Sequence, residues 1–132
     1  MSGQASPDLG SIADRVSRVA GLELVLLFGS RGRGTAADTA DWDFGYLAGP
    51  SLDATLLLSL LVEATGSDRV DLVDLRRASG LLRHRAAVDG RVVFEARPGL
   101  ADDLRLEAAR FWCDVAPILE KAYDDVLAEL KP

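Results

Sequence analysis

An α+β fold is what the sequence predicts: a small mixed β-sheet with helices packed on it and a long helical segment at the C-terminus. Three observations predict it. Four short runs, at residues 23–28, 41–47, 68–75 and 91–94, have the length and the apolar or alternating character of strands. Helix-period segments bounded by Asp, Ser and Gly lie before, between and after them. From residue 100 onward, apolar side chains recur at 104, 108, 111, 112, 115, 118, 119, 122, 123, 126, 127 and 130, which is the spacing of one long helix. At 132 residues the chain is expected to be one domain, with a core over 11–95 and a helical extension over 99–131.

Residues 1–8 read as a loose tail. Asp8 or Ser11 is placed to cap a short helix with Ile12, Val16, Val19 and Ala20 on one face, closed by Gly21. The first strand follows and is apolar at five of the six positions 23–28, the pattern of a strand buried on both faces. A glycine-rich turn, Gly29-Ser-Arg-Gly-Arg-Gly34, leads towards the second strand. Along that strand Asp41 and Asp43 fall on one face, and Trp42, Phe44 and Tyr46 on the other. Gly49-Pro50 breaks the chain, and Ser51 or Asp53 starts an apolar helix running to Ala64 and ended by Gly66-Ser67. In the third strand alternation separates two acidic residues: Asp71 goes with Val73 and Leu75, Asp74 with Val70 and Leu72. A helix over 78–88, the turn pair Asp89-Gly90 and a last strand over 91–94 complete the core. In the long C-terminal helix Pro117 is expected to cause a kink or a restart, with Asp114 as a cap for the second part.

Composition narrows the function. An apolar content of 48% fits a folded protein, and a net charge of −6 argues against sequence-independent nucleic-acid binding, which needs a basic surface. Lysine occurs only at 121 and 131, so arginine carries nearly all the positive charge. The first eight residues have no apolar signal-peptide core and no apolar run approaches a membrane span, so the cytoplasm is the expected location. The lone Cys113 rules out an internal disulfide and is expected to pack on the amphipathic helix. His84, between Arg83 and Arg85, is expected to be solvated, and with no Cys/His cluster a zinc site is set aside. Thr35 and Asp38 read as ordinary loop residues.

The chemistry sits in residues 29–47. Two carboxylates fixed side by side, Asp41 and Asp43, repel each other unless a cation lies between them, and Mg2+ prefers such oxygen ligands. The adjacent Gly29-Ser30 turn offers a hydroxyl and backbone N–H groups to a phosphate. Arg31 and Arg33 are placed as counter-charges to a triphosphate. Carboxylates for a metal beside a phosphate cradle point to chemistry on a nucleoside triphosphate.

These residues resemble the active-site motif of the DNA polymerase beta-like nucleotidyltransferase superfamily: Gly-Ser, a ten-residue gap, then Asp-x-Asp. Gly29, Ser30, Asp41 and Asp43 match it, and residues 29–34 are similar to the family's GSRARG with Gly32 in place of alanine. Four fixed residues at fixed spacing arise by chance in roughly one chain in a hundred, so the match is informative. The resemblance covers residues 20–95 and implies a Mg2+-dependent nucleotidyl transfer from ATP. It implies that Asp41 and Asp43 hold the metal and that Gly29, Ser30, Arg31 and Arg33 meet the nucleotide. It also implies a third carboxylate on the next strand, assigned to Asp71 by similarity to the V-D-L-V-D-L pattern, with Asp74 as the alternative.

Larger relatives carry a second domain for the acceptor, and this chain has no room for one. The resemblance to minimal, MNT-type antitoxins therefore implies that the acceptor is a tyrosine of a HEPN-domain toxin, to which AMP is transferred. Two alternatives are a small-molecule transferase, such as one acting on an aminoglycoside across a homodimer, and an antitoxin that neutralises its partner by contact alone. Phe111, Trp112 and Tyr123 exceed what one face of a small sheet needs, so any uncovered part of the C-terminal stripe is expected to contact another protein.

Overall fold

A computed structural model describes residues 8–34 and 40–130. The expected tail at 1–7 and the loop residues Thr35 and Asp38 lie outside the described residues. Elements follow in the order α1 (Leu9–Val16), β1 (Leu22–Phe28), α2 (Gly29–Arg33), β2 (Trp42–Ala48), α3 (Ala54–Thr65), β3 (Val70–Asp74), α4 (Gly80–Asp89), β4 (Arg91–Glu95) and α5 (Leu100–Leu130). The sheet order is β3-β2-β1-β4. β1 runs antiparallel to both β2 and β4, whereas β2 and β3 are parallel. The α3 segment supplies the crossover that a parallel pair requires. The α+β class and the mixed sheet are as the sequence predicts.

Side-chain oxygens start three of the helices. Asp8 Oδ1 accepts from the Ser11 N–H at 2.7 Å, Asp53 Oδ1 from Leu56 at 3.1 Å and Ser79 Oγ from Leu82 at 3.2 Å. Each satisfies a backbone donor that the first helical turn leaves without a partner. Between the sequence's paired candidates for the first and third helices, the caps are thus Asp8 and Asp53. The first helix stops earlier than expected, at Val16, and Ala20 is exposed while Val19 still reaches the core.

Two apolar layers sandwich the sheet. On one face Ile12 and Val16 of α1 and Leu57 and Leu61 of α3 cover Val25, Leu27, Trp42, Phe44 and Val93. On the other, Ala86, Ala87, Ala101, Leu104 and Ala108 of α4 and α5 cover Leu24, Leu26, Phe28 and Leu75. β1 is therefore buried on both sides, as its unbroken apolar run foretells. Alanines dominate the helical side of the second layer and let α4 and α5 lie close to the strands. Burial of a side chain such as Phe44, fully inaccessible here, contributes roughly 1.5–3 kcal/mol.

Only the first part of α5 belongs to this packing: its buried residues are Leu100, Ala101, Leu104 and Ala108. Beyond Phe111 no residue of the helix is buried. The helix passes through Pro117 as one element, so no restart occurs there and Asp114 is interior to the helix rather than a cap. Cys113 is exposed, contrary to the expected packing, because the helix has left the sheet before its turn reaches an apolar neighbour. Among the described residues no helix is long and apolar enough to cross a membrane.

Candidate active site

The site grows out of the junction between β1 and β2. Phe28 ends β1 and pairs with Asp43 on β2, which sets the residue after Phe28 directly beside the Asp43 side chain. That residue is Gly29, with φ at +68°, a conformation glycine adopts without steric cost. A Cβ there would stand 2.6 Å from Asp43 Oδ2. The missing side chain is what allows the carboxylate to lie against the turn. The turn itself is tighter than the sequence suggests: residues 29–33 form one short helical turn, α2, which Gly34 closes with φ at +77°.

The register of the parallel pair decides which carboxylates meet. Asp43 pairs with Asp71, Phe44 with Leu72, and Tyr46 with Asp74. Paired residues on neighbouring strands, about 4.8 Å apart, point to the same face. Asp71 therefore shares the face of Asp43, whereas Asp74 shares that of Tyr46, three residues further along. Electrostatics follow the same division. The Asp43 carboxyl is pushed above the usual carboxylate range, first by burial, then by the charges of Asp71 and Asp41. The Tyr46 hydroxyl is raised by burial and by Asp74, against a lowering from Arg77. Asp41 lies just ahead of β2 and, like Asp71, is exposed, so Asp43 is the sheltered member of the three.

The two arginines of the turn are held by the protein. Arg31 donates from Nε and Nη2 to the Ala40 carbonyl, at 3.1 and 2.9 Å, and its guanidinium carbon lies 4.0 Å from the centre of the Trp42 ring. This cation–π contact and paired hydrogen bond tie α2 to the residue before Asp41. Arg33 is bound to Asp89 at the end of α4, Nη1 to Oδ2, at 2.8 Å. The sequence marks Arg31 and Arg33 only as counter-charges to a triphosphate; their partners Ala40, Trp42 and Asp89 become visible only in three dimensions. Trp42 is in the core, as alternation indicates, and stacks on Phe44 with ring centres 6.0 Å apart. His84 is not simply solvated: its ring stacks on Trp112 at 4.6 Å.

Gly32 is buried under α2, and a Cβ added to it would stand 2.6 Å from the Leu27 carbonyl oxygen and 2.7 Å from that of Asp89. Both are backbone atoms and neither swings aside. Gly32→Ala, although it restores the GSRARG pattern, is expected to cost about 1–3 kcal/mol through forced backbone shifts. Thermal unfolding should show a Tm lower by roughly 4–12 °C. An unchanged Tm would mean that α2 is not clamped between β1 and α4 as described.

Among the described residues no three Asp, Glu, His or Cys side chains are gathered closely enough to hold a metal by themselves. Magnesium commonly takes one or two carboxylates and completes its shell with substrate phosphates and water. The donor set here is all oxygen, Asp43 with Asp41 and Asp71, and burial together with these two neighbouring charges raises the cost of ionising Asp43, a cost that a bound cation would offset.

The chain is similar to characterised proteins over this region. The profile of the Polymerase beta nucleotidyltransferase family matches residues 11–98. A protein adenylyltransferase MntA of Aphanizomenon flos-aquae is 32% identical over 96 residues, covering 64% of this chain and 63% of that protein. A protein adenylyltransferase MntA of Shewanella oneidensis is 41% identical over 73 residues, covering 53% of this chain and 52% of that protein. The matches thus span less than two thirds of the length of either relative. A solved structure described as a toxin–antitoxin with AMP-PNP superposes with a TM-score of 0.72 at 27% identity, over 91% of this chain and 98% of that one. The profile matches most of the chain, including both strands and the turn that make the site. On that ground the chain belongs to the Polymerase beta nucleotidyltransferase family.

Proposed function

We propose that this chain is a Mg2+-dependent protein adenylyltransferase that acts as an antitoxin, moving AMP from ATP onto a tyrosine hydroxyl of a HEPN-type toxin. The observation that carries the reading is the placement of Asp43 against the Gly29 turn with Asp71 in register beside it. Its similarity to adenylyltransferases named MntA, and to a toxin–antitoxin structure with AMP-PNP, supports the choice of ATP and of a protein partner. Residues 11–95 are the proposed catalytic core of a single domain, 99–131 its extension, and the cytoplasm its place of action.

In this reading Ser30 and the backbone N–H groups of the turn take the terminal phosphates, with Gly29 allowing their close approach. Arg31 and Arg33 add positive charge from fixed positions, anchored by Ala40, Trp42 and Asp89. Asp41 and Asp43 would hold the magnesium, and Asp71 would hold a second ion or accept the proton of the tyrosine hydroxyl. Bound magnesium would lower the pKa of the attacking hydroxyl and offset charge on the leaving pyrophosphate. The tyrosine oxygen forms a bond to the α-phosphorus, the bond to the bridging oxygen breaks, and pyrophosphate leaves. The protein contributes positioning and fixed charge rather than covalent chemistry of its own.

Two ATP labels test this on a HEPN-domain protein that co-purifies with the chain. An α-labelled phosphate is expected to pass to that protein and a γ-labelled phosphate is not, with transfer lost in Asp41→Ala. Label on neither substrate, in a mixture where the two proteins bind each other, would leave neutralisation by contact alone. Label on an aminoglycoside but not on the protein would assign the small-molecule reading.

A further inference from the structure

The second half of α5 carries an apolar stripe that, apart from the His84 ring stacked on Trp112, no described residue covers. Trp112, Leu119, Tyr123, Val126 and Leu130 are exposed by 39, 40, 66, 54 and 74%. With the half-buried Ala116 they recur at steps of four, three, four, three and four residues, 112-116-119-123-126-130. That alternation is the seam of a helix that packs along another helix, and it continues for about 27 Å at 1.5 Å per residue. The sheet does not need it, since the buried residues of α5 end at Ala108. Pro117 falls outside the seam, so its ring does not interrupt the stripe.

Charge selects the occupant. In the register of this seam the charged residues that border it are Glu120 and Glu129, with no Lys or Arg among the bordering positions 113, 115, 120, 122, 127 and 129. Across residues 112–130 there are five acidic side chains, Asp114, Glu120, Asp124, Asp125 and Glu129, against the single Lys121. A second copy, parallel or antiparallel, would bring no Lys or Arg to these flanks and so gain no complementary pair. A helix bordered by Lys or Arg would gain one at each acidic flank.

We infer that residues 112–130 of α5 are the docking rail for the partner toxin, and that the toxin lays against it an amphipathic helix with a basic border. The identity of the occupant rests on the antitoxin reading above; the rail itself rests on exposure, spacing and charge. Holding the partner on an extension outside the transferase core leaves the Asp43 face open to the acceptor tyrosine.

The test uses the full chain and a HEPN-domain protein that co-purifies with it, with binding followed by calorimetry and AMP transfer by α-labelled ATP. Leu119→Glu/Val126→Glu places charge in the seam at exposed positions. It is expected to keep the wild-type circular dichroism and Tm and to weaken binding on the order of 100-fold. Leu56→Glu, an equally exposed position on α3, is expected to leave affinity within threefold. Glu120→Lys/Glu129→Lys is expected to weaken binding about tenfold at low salt and to flatten its salt dependence. Unchanged affinity in the seam variant overturns the inference, as does a wild-type homodimer that the same variant dissolves. If the seam variant loses binding while the wild type binds without transferring AMP, the rail stands and the transferase reading falls. If transfer occurs and the seam variant binds normally, the transferase stands and the rail falls.

Discussion

Asp43→Asn is expected to lower AMP transfer by about 10³-fold or more and at the same time to raise Tm at neutral pH. The activity loss follows from removing the sheltered carboxylate that faces the Gly29 turn: a transition-state contribution of roughly 4 kcal/mol corresponds to three orders of magnitude. The gain in stability comes from the same residue. Burial, Asp71 and Asp41 all raise the Asp43 pKa, so the folded protein holds its ionised form at a cost that the unfolded chain does not bear. A folded pKa above the unfolded one means that the folded state binds the proton more tightly. This group's contribution therefore falls as pH rises from the ordinary carboxylate range through the raised value, and the penalty is complete above it. The Tm difference between Asp43→Asn and wild type should be largest near neutral pH and vanish below the ordinary carboxylate range. A variant that is both inactive and less stable at neutral pH would show that Asp43 is a structural residue, not a carboxylate kept at a cost for a cation.

The second large effect separates two residues that the sequence leaves three positions apart on one strand. Asp71→Asn should reduce transfer by about 10²-fold or more, whereas Asp74→Asn should leave it within threefold. The sheet register is the reason: Asp71 is opposite Asp43, and Asp74 is opposite Tyr46 on the reverse face. Asp74 instead takes the backbone N–H of Arg76 at 3.0 Å and lies 3.8 Å from the Arg77 guanidinium, which is local work at a strand end. In addition, Asp74→Asn should bring the Tyr46 hydroxyl pKa down, since Asp74 is one of the two causes that raise it. Followed by the ultraviolet absorbance of tyrosinate, that shift would report the face independently of activity. Equal losses in both variants would mean that β3 is paired with β2 in another register.

Much of the fold was legible because its determinants are local. Asp8 and Asp53, each one of two candidates read from the sequence, are caps bonding to backbone three residues on, and the strands show as apolar or alternating runs. The same locality made two expectations fail. Gly21 was a plausible end for the first helix, but the chain turns after Val16 once Ile12 and Val16 have filled their places under the sheet. Asp114 reads as a cap for a helix restarted after Pro117, yet the helix continues through the proline as one element, with Asp114 in its interior.

By itself the sequence determined the class of fold, the strand–turn–strand unit, the four-residue motif Gly29, Ser30, Asp41 and Asp43, and the face shared by Asp41 and Asp43. All of these depend on residues near one another in the chain, where spacing translates directly into geometry. Only the tertiary structure decided that Asp71 and not Asp74 stands beside Asp43, that Arg31 is fastened to Ala40 and Trp42, that Arg33 is held by Asp89, and that Gly32 has no room for a methyl group. It also decided where α5 leaves the sheet, which exposes Cys113 and the stripe that ends at Leu130. Each of these turns on strand register or on packing between distant segments. An amphipathic pattern says that a face must be covered, but what covers it depends on how much sheet the fold has left to offer.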